Sequence, residues 1–477
     1  MSTTTHSLLE KLDPVLRYIP TVPRPRTPLP LSARLFWTFV AVTIYLLLMM
    51  TPLYGIQHAV VPSFYFRLMS LIFATSFGTL AHLGIGPIVI AGIILEILVF
   101  SGILEIDLED PVDRVRFNAL MKLLALVIAA LEATSAVTIG WLRVTSPLIG
   151  ALVVLQLIIA TLIIILLDDM VTNGWGLGSG IGLFILVSIA KTVMWYTFSP
   201  VLAPDNYPVG IIPALITAIV RHHLPFDLVY SFNRGGTLVG LIATIVLGFF
   251  VLYLELLNVP IPLTFTQFRG MRYSLPLRVM YVSVIPIIFT AFTLILFSHL
   301  LQYIAFATMN SPAIRWLACV RRAPEFGGAW VPCENSLLYF LWSPPPPNIT
   351  PQYVIVHIIL YIVLCTIYAY IWVNIAGMSA EDQAKYIVEA KLSIPGFRPN
   401  VRIVAKYLEK YINALTITSG VLAGLLAALG DLLQVFGGGI GLILLIEIAL
   451  QYYAIAISEH LFEMFPGLRR FLGVERV

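Results

Sequence analysis

The chain has 477 residues, of which 59% are hydrophobic and only 11% charged, and its mean hydropathy is +0.94. Soluble globular chains carry about a quarter charged residues, so this one cannot cover a water-facing surface, and a soluble protein is excluded. A net charge of +3 says little until the charges are placed along the chain.

Residues 1–33 form a polar, proline-rich, basic tail. It lacks the short apolar core and small-residue cleavage site of a signal peptide, so the chain is expected to insert through its own spans. A bilayer is crossed by about twenty apolar residues in a helix. Such runs are expected near 35–52, 84–104, 118–141, 147–167 and 180–200, making a first half over 34–205. A connecting loop, 206–235, follows. Further spans near 236–257, 279–301, 353–374, 412–430 and 438–460 make a second half over 236–460, and 461–477 is a short tail. The expected fold is an all-α membrane protein with ten transmembrane helices in two inverted five-helix halves.

Lysine and arginine set the orientation, because they favour the cytoplasmic side. Placing both termini there puts twenty of the 28 basic residues on that side, seven on the other, and Lys191 inside span five. Both tails are therefore expected in the cytoplasm and the 206–235 loop outside. This orientation leaves the apolar piece at about 59–79 no room to cross, since span one ends outside near Tyr54 and Gly84 to Glu105 is already a full crossing. It should be a short helix held on the outer side or re-entrant into a cavity. Non-helical backbone at membrane depth survives only where protein or water surrounds it. Such a cavity implies transport.

Spans five and ten open alike. Gly178-Ser179-Gly180-Ile181-Gly182-Leu183-Phe184-Ile185-Leu186 and Gly437-Gly438-Gly439-Ile440-Gly441-Leu442-Ile443-Leu444-Leu445 share six of nine positions. Each starts the last span of its half, and the two spans run in opposite directions. A weaker match joins Pro87-Ile88-Val89 with Pro286-Ile287-Ile288. Five spans repeated in inverted topology place a pathway at the interface of the halves. Glycine-rich helix starts also suit tight packing alone, and small residues recur in apolar helices without any repeat.

Several stretches resemble the SecY family, particularly its archaeal members. Leu83-Gly84-Ile85-Gly86-Pro87-Ile88-Val89-Ile90-Ala91-Gly92 resembles the start of the family's second span, just after its plug. The run from Gly176 to Ile185 resembles its fifth-span signature. Ile261-Pro262-Leu263, then a basic loop, Tyr281-Val282-Ser283 and Ile285-Pro286, is similar to the junction of spans six and seven. Pro395-Gly396-Phe397-Arg398 resembles the tip of loop eight/nine, and Gly437-Gly438-Gly439 the tenth span. These stretches keep the family's order between about residues 34 and 460.

The resemblance implies a protein-conducting channel: a clam-shell of two halves around an hourglass pore, with 59–79 as a short plug helix. Carried over by position, the apolar ring at the constriction would be Ile85, Val89, Ile181, Ile185, Ile288 and Leu444. The internal repeat supports this choice. Val89 and Ile288 each lie two residues after a paired proline, and Ile185 and Leu444 hold matching places in the glycine repeat. Branched apolar side chains at a constriction exclude water and seal it, and they can part around a chain of any sequence. Ordinary core packing accounts for the same residue types.

The resemblance further implies a lateral gate, between spans two and three on one side and seven and eight on the other, that releases hydrophobic segments into lipid. There the family's usual Thr, Gln and Asn are replaced by Ile90, Glu96 and Val284. Glu96 lies seven residues beyond Val89, on nearly the same helix face. An intramembrane carboxylate is a functional candidate, and one near a span end can equally reach water. Arg269, Arg272 and Arg398 occupy loops that contact the ribosome in this family and, in bacteria, the motor ATPase. Guanidinium groups suit phosphate-rich RNA, although the positive-inside bias alone also places bases there. Gln267 stands at one of the family's basic positions. The implied partners are a SecE-type small subunit, optionally a second small beta-type subunit, the ribosome, signal-sequence-bearing nascent chains and membrane lipid.

Two other classes compete. Inverted repeats also mark secondary transporters, which place acids near the midplane. Glu447 in span ten is the best such residue, while Glu132 and Glu255 have no evident partner in the sequence. Catalysis has little footing: the run Gly176 to Gly182 lacks a phosphate-binding lysine, and Ser179 has no obvious histidine base. No metal or other cofactor is expected, because Cys319, Cys333 and Cys365 show no ligand spacing and the pair His222-His223 has no partner acids. Cys319 and Cys333 share the outer loop 302–352, where an oxidising exterior permits a disulfide. With no nucleotide site, the driving force must come from a partner such as a translating ribosome.

Overall fold

The computed structural model of the chain describes residues 19–464, apart from 28, 60–72, 101–102, 105, 107–109, 139–141, 204, 232–233, 266–271, 283, 309–312, 324–328, 335, 342–348 and 397–399. All ten expected spans are helices. The first five are α1 (Leu31–Met50), α2 (Gly86–Phe100), α3 (Pro111–Thr138), α4 (Pro147–Thr172) and α5 (Gly180–Phe198). Two short helices, α6 (Ile211–Val220) and α7 (Phe226–Val229), interrupt the connecting loop before α8 (Leu238–Leu256). Then come α9 (Val284–Ala307), the short α10 (Leu337–Leu341), α11 (Pro351–Ile375), α12 (Ala380–Glu389), α13 (Val401–Leu432) and α14 (Gly438–Met464).

Local chemistry starts several of these helices. Ser146 and Thr350 precede Pro147 and Pro351, and their hydroxyls accept the amides of Ile149 and Tyr353 at 3.4 and 3.2 Å. A hydroxyl cap followed by proline satisfies one orphan amide and removes another. Thr237 caps α8 in the same way, accepting Gly240 N at 3.1 Å.

Among the described residues, nine helices are long and apolar enough to cross a membrane. The tenth, α2, has 15 residues, a rise of about 22 Å against about 30 Å of hydrocarbon. Ahead of it, residues 81–85 continue as buried, non-helical backbone. Protein surrounds this stretch, which is the condition under which irregular backbone survives at that depth. Most of the expected plug lies outside the described residues; its trailing part, 73–79, is a series of turns.

The chain divides into two compact units, 1–190 with 448–477 and 191–447, and the boundary passes through α5 and α14. In the first unit, Leu53, Leu83, Ala129, Ala133, Leu142, Val153 and Leu157 form a core cluster between α3, α4 and the turns ahead of α2. Strands β1 (Ile56–Ala59) and β2 (Leu142–Val144) pair antiparallel above it. Lys122 on α3 and Asp169 on α4 form a buried ion pair at 2.5 Å. The amino-terminal tail is tied to the α4–α5 turn: Asn173 Nδ2 and Trp175 Nε1 donate to the carbonyls of Val22 and Pro23 at 2.6 and 2.8 Å.

In the second unit, Gly420 and Gly424 bring α13 against the α11 backbone; a Cβ on either would lie 2.7 or 2.6 Å from it. Small residues at such a seam permit close helix approach without a hydrophobic driving force. Beyond the spans lies a sheet of three strands, β3 (Asn258–Phe265), β4 (Arg272–Arg278) and β7 (Leu392–Ser393). Their order is β4-β3-β7. Ile261, Leu263, Leu277, Ile387, Ile394 and Leu408 bury the sheet against α12 and the first turns of α13. At the far end, β5 (Val320–Ala323) and β6 (Ala329–Pro332) form a hairpin. Cys319 and Cys333 are joined there by a disulfide, with Cα atoms 5.4 Å apart.

Candidate functional site

Four of the six expected ring residues belong to the first unit, Ile85, Val89, Ile181 and Ile185, and two to the second, Ile288 and Leu444. Ile85 and Val89 stand one turn apart, with the Val89 amide donating to Ile85 O at 3.1 Å. Ile181 and Ile185 are likewise spaced on the first turns of α5. Ile85, Ile185 and Leu444 are buried, whereas Val89, Ile181 and Ile288 are half-buried. None carries a group that could hold an ion or a sugar, so what they offer is an apolar, compressible surface.

The start of α2 is fastened to the turns at 73–79. Ile85 N donates to Phe73 O at 2.8 Å. Ser76 Oγ donates to Met49 O at 2.9 Å, and Tyr45 OH on α1 donates to Ala74 O. The Tyr45 ring also stacks on Phe184 of α5, with centroids 4.4 Å apart. Tyr45 thus links α1, the turns at 73–79 and the turn of α5 that carries Ile185. His82 closes the same turn, its Nδ1 accepting Gly78 N at 3.3 Å.

The glycine-rich starts of α5 and α14 are each clamped by an acid at the end of the preceding span. Asp168 Oδ1 accepts Ile181 N at 2.9 Å, and Asp431 Oδ1 accepts Gly439 N at 3.0 Å. The close approach requires glycine: a Cβ on Gly180 would lie 2.5 Å from Asp168 Cα, and one on Gly439 would lie 2.1 Å from Ala427 O. A carboxylate at a helix start satisfies orphan amides and meets the positive end of the helix dipole. Asp168 and Asp431 were not among the expected site residues, because acids at span ends read simply as interfacial groups.

The expected gate residues are less connected. Ile90 is half-buried and Glu96 exposed on α2. Val284 begins α9, and its side chain lies outside the described residues. Of the expected docking arginines, Arg269 and Arg398 also lie outside the described residues, while Arg272 pairs with Thr264 at the turn end of the β3–β4 hairpin. The structure does join their loops. Thr264 pairs with Ser393, and Thr264 Oγ1 donates to Ser393 O at 3.2 Å. The hairpin from loop six/seven and the strand from loop eight/nine are therefore one sheet.

Comparison with known proteins yields a consistent family. The SecY family model matches residues 79–453. The protein translocase subunit SecY of Saccharolobus solfataricus is 36% identical over 98% of this chain and 100% of its own length. Among solved structures, one described as the structure of a protein conducting channel superposes with a TM-score of 0.72 at 29% identity, covering 95% of this chain and 98% of the other. Canine Sec61 in its ribosome-channel complex from the endoplasmic reticulum gives 0.71 at 28%, with coverage of 95% and 98%. The similarity spans both units. On that evidence, the chain belongs to the SecY family, in its archaeal type.

Proposed function

We propose that this chain is the channel subunit through which secretory polypeptides cross the membrane and from which hydrophobic segments leave sideways into lipid. The observation that carries the reading is the similarity over 98% of the chain to a protein translocase subunit SecY. Ile85, Val89, Ile181, Ile185, Ile288 and Leu444 form the seal. Branched apolar side chains dewet a narrow opening, so the closed state holds back water and ions without a binding site. The same side chains spread around a passing chain and hold none of it, since they offer neither charge nor hydrogen bond. Segment 59–79 acts as the plug, positioned by the Phe73–Ile85 hydrogen bond.

Ile90, Glu96 and Val284 stand at the lateral gate, where an apolar pair in place of polar residues eases opening toward lipid. Arg269, Arg272 and Arg398 dock the ribosome, a role supported by the sheet that unites their two loops and by the ribosome-bound Sec61 relative. Both termini face the cytoplasm, as the lysine and arginine distribution indicates. A SecE-type helix and a beta-type subunit complete the assembly. The chain performs no catalysis; work comes from the partner that feeds the polypeptide.

The test is reconstitution with the companion subunits in liposomes supplied with translating ribosomes. A signal-bearing chain should become protease-protected, and the same chain without its signal should stay accessible. Protection without a signal, or none with one, contradicts the reading.

A further inference from the structure

Helix α6 sits in what the sequence reads as a connecting loop, yet its ten residues, Ile211–Val220, include only one polar side chain, Thr217. A helix that is apolar on every face is covered by protein or by lipid. Protein covers one side: Ile211, Ala214 and Ala218 are buried, the latter two with Tyr207 and Leu228. The other side is bare. Ile216 is 59% exposed, Ile219 72% and Val220 73%, and their spacing of three and four puts them on one face. Leu224 and Phe226, at 55% and 75%, extend the row. Ten residues rise about 15 Å, half of the roughly 30 Å hydrocarbon layer, so α6 does not span.

Backbone contacts set its depth. Gly210 N donates to Ser199 O at 3.0 Å and Val209 N to Val201 O at 2.7 Å, so α6 starts beside the end of α5. Just ahead of α8, Gly236 comes so near that a Cβ there would lie 2.8 Å from the Tyr196 carbonyl oxygen. The helix therefore begins at the level where one span ends and the next begins, which is the boundary of the membrane. Its other end is polar: Arg221, His222 and His223 are exposed, and the Arg221 guanidinium lies 4.9 Å over the Tyr207 ring.

We propose that α6 is an interfacial anchor whose Ile216, Ile219 and Val220 face, continued by Leu224 and Phe226, lies among phospholipid acyl chains. Arg221, His222 and His223 then sit at the headgroups. Helices of this kind bury an apolar face at the headgroup–acyl border and keep their polar groups in water. Only the choice of leaflet, the outer one, rests on the orientation proposed above. The anchor holds the linker between α5 and α8 to the lipid surface, so this linker is part of the membrane domain.

The test uses the full chain in liposomes with a bimane fluorophore on Ile219→Cys or Ile216→Cys. The background is Cys365→Ala, since Cys319 and Cys333 are already paired. Phospholipids brominated near their carbonyls should quench both labels about twofold while aqueous iodide does little, as for groups at the headgroup–acyl border. A label on Asp227→Cys, an exposed polar position, should answer iodide instead. Labels at 216 and 219 that answer iodide and not bromolipid would put α6 in water and overturn the proposal. Labels shielded from both quenchers would mean that protein, such as a second copy of the chain, covers this face, and would overturn it equally. No translocation is involved, so the result is independent of the channel reading.

Discussion

Asp431, near the carboxyl end of α13, accepts the amide of Gly439, near the start of α14, at 3.0 Å, and its other oxygen accepts the hydroxyl of Tyr361 at 2.9 Å. Three spans of the second unit thus meet at one carboxylate, about one and a half turns ahead of Leu444. Asp168 does the corresponding work for α5 in the first unit, ahead of Ile185.

Replacing Asp431 with Ala removes both acceptors from a buried site. The expected loss is about 1–3 kcal/mol, seen as a lower thermal midpoint of the purified protein in detergent. Asp431→Asn keeps a carbonyl oxygen for the Gly439 amide and should lose less. Equal midpoints for wild type and Asp431→Ala would show that the clamp contributes nothing.

Two glycines should respond oppositely to alanine. A Cβ on Gly439 meets the Ala427 backbone at 2.1 Å, whereas one on Gly92 meets nothing nearer than Met121 Sδ at 3.6 Å. Gly439→Ala must push two helices apart and should cost at least about 1–3 kcal/mol. Gly92→Ala lies inside a helix with room to spare and should be neutral or stabilising by up to about 1 kcal/mol. Thermal midpoints of the two variants check the contrast.

That contrast also shows how far the sequence could be read. Hydropathy located all ten spans, because apolar runs of bilayer length have no other stable fold, and the paired glycine runs marked the clamped starts of α5 and α14. The acids that clamp them stayed hidden, since Tyr361 and Asp431 are 70 residues apart and only the folded chain joins them. The β3–β4 hairpin was also missed. Pro260, Pro262 and Pro276 lie within its strands, and proline ordinarily argues against a strand. Helix α6 was read as loop because ten apolar residues are too few for a span. The disulfide between Cys319 and Cys333 was permitted by the expected orientation, which puts both cysteines on an oxidising side, but nothing in the sequence decided that it forms.

The buried pair of Lys122 and Asp169 holds more than two helices. Asp169 Oδ2 also accepts Val22 N at 3.4 Å, so the pair anchors the tail. Lys122→Met would leave a carboxylate buried without its counter-ion, at a cost of about 3 kcal/mol. Limited trypsin digestion should then cut faster after Arg26, the tryptic bond nearest Val22. An unchanged cleavage rate would mean that Asn173 and Trp175 alone hold the tail.

His82 ties the turn ahead of α2, its Nδ1 accepting Gly78 N at 3.3 Å. His82→Ala removes that acceptor from a buried site and should cost about 1–3 kcal/mol, read as a lower thermal midpoint in detergent. An unchanged midpoint would show that the turn holds without it.

The most direct test of the channel is a photo-crosslinking residue at Ile185, in membranes containing the companion subunits and ribosomes stalled on a secretory chain. The account predicts a crosslink to the nascent chain that requires its signal sequence, with a similar one from Leu444. Ribosome binding without any crosslink from either position would contradict a polypeptide path through the apolar ring.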